Sequence, residues 1–150
     1  MNYAQQRAAA FSELLARLAA EAGIPTLGAG EVAAHAAAHE VFALLYTGDP
    51  ARSPESWDVC VVLPELLAAC PGIAAGILDP AASAAATAEY GVDKLPALVV
   101  LRGGAYVGVV EGMRDWDPFV QELIRLRSAS PQNPPVAGRY PSPSTAARPA

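Results

Sequence analysis

Tyr90-Gly91-Val92-Asp93-Lys94-Leu95-Pro96-Ala97-Leu98 is the most specific segment of the sequence, and Val99-Val100-Leu101 extends it. Residues 97–101 form an uninterrupted apolar run of strand length, the pattern of a strand covered on both faces. Pro96 stands just before it. Proline at the start of a strand forfeits no interior ladder hydrogen bond, and a cis peptide, which reverses the chain tightly, is nearly confined to X-Pro bonds. Taken alone, the residues leave both isomers of the Leu95–Pro96 bond open. Gly103-Gly104 follows, and then Ala105-Tyr106-Val107-Gly108-Val109-Val110. Two apolar runs joined by two glycines predict a β-hairpin.

Working outward, Asp115 is placed to cap a last helix carrying Trp116, Phe119, Val120, Leu123, Ile124 and Leu126 at helical spacing. Upstream, residues 81–90 predict a helix on alanine propensity, ended by Gly91. Residues 73–78 predict a short strand. Before it, a helix over about 61–69 presents Leu63, Leu66 and Leu67, with Pro54 and Glu55 suited to an earlier start and Pro64 able to kink it. Residues 40–47 hold the clearest strand, Val41-Phe42-Ala43-Leu44-Leu45-Tyr46. An amphipathic helix over 3–21 with Phe11, Leu14, Leu15 and Leu18 opens the chain, and a short helix over 31–38 follows it. Residues 24–27 read as a short strand or an extended connection.

Helices between the early strands imply right-handed crossovers and parallel pairing, and the hairpin adds an antiparallel edge. The expected fold is therefore α/β, with a central mixed sheet of four to five strands flanked by helices. With Pro96 before its strand and the hairpin and helix after it, this layer plan resembles the thioredoxin superfamily. The resemblance implies that Pro96 is the superfamily's cis-proline. It also implies a catalytic Cys-x-x-Cys at the start of the helix after the first central strand, where the helix N-terminus lowers the thiol pKa. The corresponding stretch here is Ser53-Pro54-Glu55-Ser56-Trp57-Asp58-Val59, without a cysteine. The two cysteines, Cys60 and Cys70, lie ten residues apart. On one helix that is about 15 Å, beyond disulfide reach. Cys60 as a lone reactive thiol is one alternative, and a general protein-binding scaffold is another.

The remaining composition narrows the function classes. The formal charge is −5, and the last 23 residues contain two arginines and no acid, so residues 1–127 carry −7. That balance argues against nucleic-acid binding, which needs a basic footprint. Residues 1–10 lack the apolar core of a signal peptide, and no apolar run reaches membrane-spanning length, so a cytoplasmic protein without membrane insertion is expected. His35 and His39 share a helix face, but Ala36 follows the first, and two ligands do not complete a metal site. Gly28-Ala29-Gly30 is too short for a phosphate loop, and no histidine is placed to activate Ser53 or Ser56. Neither cofactor nor metal is expected. Residues 128–150 hold six prolines and four serines with few large apolar groups. They predict a disordered tail outside a domain of residues 1–127.

A narrower resemblance rests on Phe11-Ser12-Glu13-Leu14-Leu15-Ala16-Arg17-Leu18, Gly48-Asp49-Pro50, Arg52-Ser53-Pro54-Glu55 and Pro64-Glu65-Leu66-Leu67. Tyr90-Gly91-Val92, Leu95-Pro96-Ala97-Leu98-Val99, Gly104-Ala105-Tyr106-Val107-Gly108, Gly112 and Trp116 continue it. Over residues 11–127 the chain resembles the HyaE/HoxO/HupG family of hydrogenase expression/formation proteins, in which absence of the cysteine pair is normal. The resemblance implies a non-enzymatic, chaperone-like accessory protein of nickel–iron hydrogenase maturation. Its implied partners are the hydrogenase small subunit with its twin-arginine signal peptide, and other maturation proteins. The residues fit that role: Asp49, Glu55, Asp58 and Glu65 cluster in sequence where a basic segment would meet them, and Trp57 is available as an apolar anchor. Leu95 and Pro96 complete the expected partner-binding face.

Overall fold

Why the apolar runs are continuous is answered by their position. Residues 2–135 are described by a computed structural model. Helix α1, Tyr3–Ala22, begins at a reciprocal cap in which Gln5 N–H donates to Asn2 Oδ1 (2.8 Å) and Asn2 N–H to Gln5 Oε1 (3.0 Å). Strand β1, Thr26–Leu27, a 3-10 turn at Ala29–Glu31 and helix α2, Val32–Ala37, lead to β2, Val41–Tyr46. Helix α3, Pro54–Ala69, then returns the chain to β3, Ala74–Leu78. Helix α4, Pro80–Ala86, and a 3-10 turn at Thr87–Tyr90 precede β4, Ala97–Arg102. The chain turns into β5, Ala105–Glu111, and then forms α5, Trp116–Ser128.

The five strands form one sheet in the order β1-β3-β2-β4-β5. β3 runs parallel to β1 and β2, with Leu44 opposite Gly76. β4 runs antiparallel to both neighbours, with Leu44 opposite Val99 on one side and Val99 opposite Val109 on the other. The antiparallel part is thus larger than the hairpin edge expected from the glycines.

Each strand divides its side chains between two cores. Val41, Ala43 and Leu45 join Leu98 and Val100 beneath α1, α3 and α5, with Phe11, Leu63, Phe119 and Leu123. Phe42, Leu44 and Tyr46 join Ala97, Val99 and Leu101 on the other face. A strand that must be apolar at odd and even positions alike has no polar alternation to show. Burying a Phe or Leu here contributes about 1.5–3 kcal/mol.

Three sequence expectations shift. α3 starts at Pro54 and runs through Pro64 without interruption. Proline removes the donor that would reach the Cys60 carbonyl, but Val59, Cys60, Leu63 and Leu66 continue one buried face through it. The expected 81–90 helix shortens to Pro80–Ala86 because only Ser83 of that helix is buried, so little packing supports its last turn. Asp115 occupies the cap position of α5, yet its side chain makes no cap hydrogen bond.

Beyond the expected division at residue 127, Ser128 closes α5 and Gln132 N–H donates to the Tyr106 carbonyl at 2.8 Å. A hydrogen bond to a sheet edge orders a segment that carries little apolar surface of its own. The remainder of the expected tail, residues 136–150, lies outside the described residues.

The buried face of α3 just before Pro64 has a direct test. Leu63 is 0% exposed and Val61 51%. Leu63→Ala is expected to lower unfolding free energy by about 2–5 kcal/mol in urea titration. Val61→Ala, two residues away, should stay within about 0.5 kcal/mol of wild type.

Candidate functional site

At the carboxyl end of β2 the backbone is held by buried hydroxyls. Thr47 N–H donates to Ser83 Oγ (3.2 Å) and Gly48 N–H to Ser56 Oγ (2.8 Å). Thr47, Ser56 and Ser83 are the buried polar side chains among the described residues. A tight turn follows, in which Arg52 N–H and Ser53 N–H both donate to the Asp49 carbonyl (2.9 and 2.8 Å). Asp49 Oδ1 accepts from Ala51 N–H at 2.9 Å, and Oδ2 lies 4.0 Å from Arg52 Nε. Ser53 caps α3, its Oγ accepting from Ser56 N–H (3.3 Å) and lying 2.7 Å from Ser56 Oγ. Pro54 takes the first helical position, where its missing donor costs nothing.

Three further segments close against this helix start. Leu95–Pro96 is cis. The Pro96 carbonyl accepts from Gly112 N–H at 2.7 Å, just past the end of β5. Next along the chain, Met113 N–H donates to Glu55 Oε2 at 3.1 Å. On the other side of the proline, Glu111 Oε2 accepts from Asp93 N–H (2.9 Å) and Lys94 N–H (3.1 Å). Lys94 Nζ and Glu55 Oε2 also share a neighbour, since each lies within 3.5 Å of the place a Cβ on Gly112 would take. The helix start, the proline loop and the turn after β5 are therefore one hydrogen-bonded unit.

The expected binding residues part company here. Glu55 and Pro96 are brought together through Gly112 and Met113, and Leu95 packs half-buried on the second core. Asp58 is exposed on the next turn of α3 and forms no ion pair among the described residues. Asp49 is engaged with its own turn and with Arg52. Glu65 is ten residues along α3 from Glu55, about 15 Å at the helical rise, so it does not belong to this cluster. Trp57 is half-buried and committed to α1: its ring centroid lies 5.4 Å from that of Phe11, and the Arg7 guanidinium sits 4.3 Å from it on the ring face. Trp57, the expected apolar anchor, is thus packed between α1 and α3 with part of its surface exposed.

Sequence reasoning also missed Lys94, Glu111 and Met113. Their partners lie 17, 18 and 58 residues away, and no spacing announces such contacts. Only Ser56 left a trace, three residues after a Ser cap and beside Pro54. Lys94 changes the electrostatics, because the face it shares with Glu55 is of mixed charge and not purely acidic.

Neither cysteine fits thiol chemistry. Cys60 and Cys70 are unpaired and 0% exposed. Burial pushes the Cys60 thiol up to about 12, and burial also raises Cys70, with Arg127 opposing. A nucleophilic cysteine needs access and a lowered pKa. His39 stacks on Phe42 with centroids 5.9 Å apart, and no group of three potential metal ligands occurs among the described residues.

This geometry defines a thioredoxin-like domain whose helix start bears Glu55 and Ser56 and no thiol pair. Solved thioredoxins match the fold. A mutant thioredoxin from Halobacterium salinarum NRC-1 gives a TM-score of 0.59 at 21% identity, covering 72% of this chain and 93% of that one. Mitochondrial thioredoxin 3 from Saccharomyces cerevisiae gives 0.57 at 16% identity, covering 69% and 95%.

The family profile described as Hydrogenase-1 expression protein HyaE matches residues 14–119. The hydrogenase expression/formation protein HoxO of Cupriavidus necator is 41% identical over 98 residues, 63% of this chain and 61% of that protein. HoxO of Azotobacter vinelandii is 31% identical over 122 residues, 81% of this chain and 82% of that protein. The match thus spans less than two thirds of the C. necator protein and most of the A. vinelandii one. The chain belongs to the HyaE/HoxO/HupG family of hydrogenase expression/formation proteins.

Two outcomes test the site's construction. Ser56→Ala leaves Gly48 N–H without its partner and removes the hydroxyl contact to Ser53, and should cost about 1–3 kcal/mol in denaturant titration. For the thiols, folding holds the Cys60 proton, so its contribution to stability is complete below the unfolded thiol pKa of about 8.5 and is lost as pH rises toward about 12. Alkylation at pH 8 read by mass spectrometry should leave the native chain unmodified and add two groups after unfolding. Rapid native labelling of Cys60 would contradict the assignment.

Proposed function

We propose that this chain is a non-redox accessory chaperone of nickel–iron hydrogenase maturation that acts in the cytoplasm. On this reading it holds the hydrogenase small subunit together with its twin-arginine signal peptide. Membership of the hydrogenase expression/formation family supports the process. The observation that supports the binding role is the hydrogen-bonded face made by the α3 start, cis-Pro96 and the Gly112–Met113 turn, which carries Glu55 with Asp58 on the next helical turn and no thiol pair.

A face of this kind suits recognition better than turnover. Glu55 Oε2 is already fixed by Met113 N–H, so part of its orientation is set before a partner arrives. Asp58 is exposed and without an ion pair among the described residues, which leaves it available to an arginine of a signal segment. Lys94 beside Glu55 discriminates against a partner that is basic everywhere and favours one whose arginines are spaced to avoid it. Among the described residues no helix is long and apolar enough to cross a membrane. On this reading the partner meets Glu55, Asp58, Leu95 and Pro96, with Asp49 at the margin.

The test is direct binding of the small-subunit precursor, with and without its signal peptide, to wild type and to a Glu55→Lys/Asp58→Lys variant. Wild type should prefer the precursor that retains the peptide. The variant should bind it about tenfold more weakly at low ionic strength, with the difference shrinking as salt is raised. Loss of the Glu55 charge in the first turn of α3 costs the variant about 0.3–1 kcal/mol, so its melting must be checked alongside. Unchanged low-salt affinity in a folded variant would sink the site.

A further inference from the structure

The two edges of the sheet are protected in different ways. At one edge β1 contributes two residues, Thr26 and Leu27, too short a strand to template another. At the other, β5 runs seven residues, Ala-Tyr-Val-Gly-Val-Val-Glu. It is rich in β-branched and aromatic residues, holds neither Lys nor Pro, and carries one charge, at its end. Edge strands of this composition recruit further strands.

What lies on this edge is the stretch 129–135, Ala-Ser-Pro-Gln-Asn-Pro-Pro. Gln132 donates its backbone N–H to the Tyr106 carbonyl and its Nε2 to the Val107 carbonyl, both at 2.8 Å. Successive carbonyls of a regular strand point to opposite flanks. Here the register slips: Val100 faces Gly108 while Leu101 faces Tyr106, and Val107 is the extra residue of a bulge. The bulge lets one glutamine reach both carbonyls.

The segment is fixed at both ends. Arg102 donates from Nε to the Ala129 carbonyl at 3.2 Å and from Nη2 to the Arg127 carbonyl. At the far end the Pro135 carbonyl occupies the space a Cβ on Gly91 would need, and Gly91 has φ +63°. Three of the seven residues are proline and lack an N–H. The segment therefore covers the strand while offering a further strand few donors.

We infer that residues 129–135 are an edge strap, and that the β5 edge beneath them is a self-pairing surface that fits β5 of a second copy of this chain. A two-fold axis beside β5 pairs the strand antiparallel with itself. Val107 and Val110 belong to the first core, and Tyr106 and Val109 pack on the second, so both apolar layers would continue across that axis. The strap prevents this by holding the bulge carbonyls first.

The full chain carrying Gln132→Pro loses both hydrogen bonds while keeping every other residue. Analytical ultracentrifugation over a concentration series, with hydrogen exchange on the same samples, reads the outcome. Wild type should be monomeric, with the Gln132 amide protected at least about tenfold relative to the unstructured rate. Gln132→Pro should dimerise as concentration rises, and β5 amides should exchange about tenfold more slowly in the dimer. A chain ending at Ser128 should dimerise more readily still. If that truncation does not melt cooperatively, the full-length variant decides. Either variant folded and monomeric throughout, or a dimer with unchanged β5 exchange, overturns the inference. So does binding of an unrelated extended peptide at β5 in place of self-pairing.

Discussion

The demand that the central strands be covered on both faces governs this molecule. β2 has no solvent side: Val41, Ala43 and Leu45 pack into one core, and Phe42, Leu44 and Tyr46 into the other. β4 repeats the arrangement beside it. Two helical layers are then obligatory, and the crossovers that supply them force β2 and β3 to run parallel. α3, delivered by the first of these crossovers between central strands, begins where β2 ends. The site's location is a consequence of how the sheet is buried.

At that location this chain carries hydroxyls and a carboxylate and no thiol pair. Ser53 and Ser56 satisfy the loop and helix start, and Glu55 ties the helix to the turn after β5. Gly112 then holds the carbonyl of cis-Pro96. A reactive thiolate needs free amides and access at a helix start; here Glu55, one residue into that start, is spent on a cross-link to Met113. Cys60 lies a turn and more beyond it, buried and with its proton held tightly. The result is a preorganised surface, and preorganisation lowers the ordering cost of a protein partner.

Much of this was legible because burial leaves a periodic mark. The runs at 41–46 and 97–101, the glycine pair at 103–104 and the stripe Phe119, Leu123 and Leu126 each report a local requirement. Cis-Pro96 came from resemblance, since the residues alone permit either isomer. The site was legible only in outline. Trp57 and Glu65 have the composition of binding residues; the first packs against α1, and the second lies about three turns along α3 from Glu55. Lys94, Glu111 and Met113 enter through contacts between distant segments, which leave no local signature.

The sequence by itself determined the strands, the order of helices between them, the hairpin and the lack of a cysteine pair, because these follow from patterning and from residue identity. Tertiary structure alone decided that β4 runs antiparallel to β2, that Pro64 sits within an unbroken helix, and that Trp57 packs between α1 and α3. It also decided that a proline-rich stretch lies fixed along β5. Composition speaks for the burial a segment can achieve on its own. Whether a single glutamine finds two carbonyls turned toward it by a bulge depends on the register of strands elsewhere in the sheet.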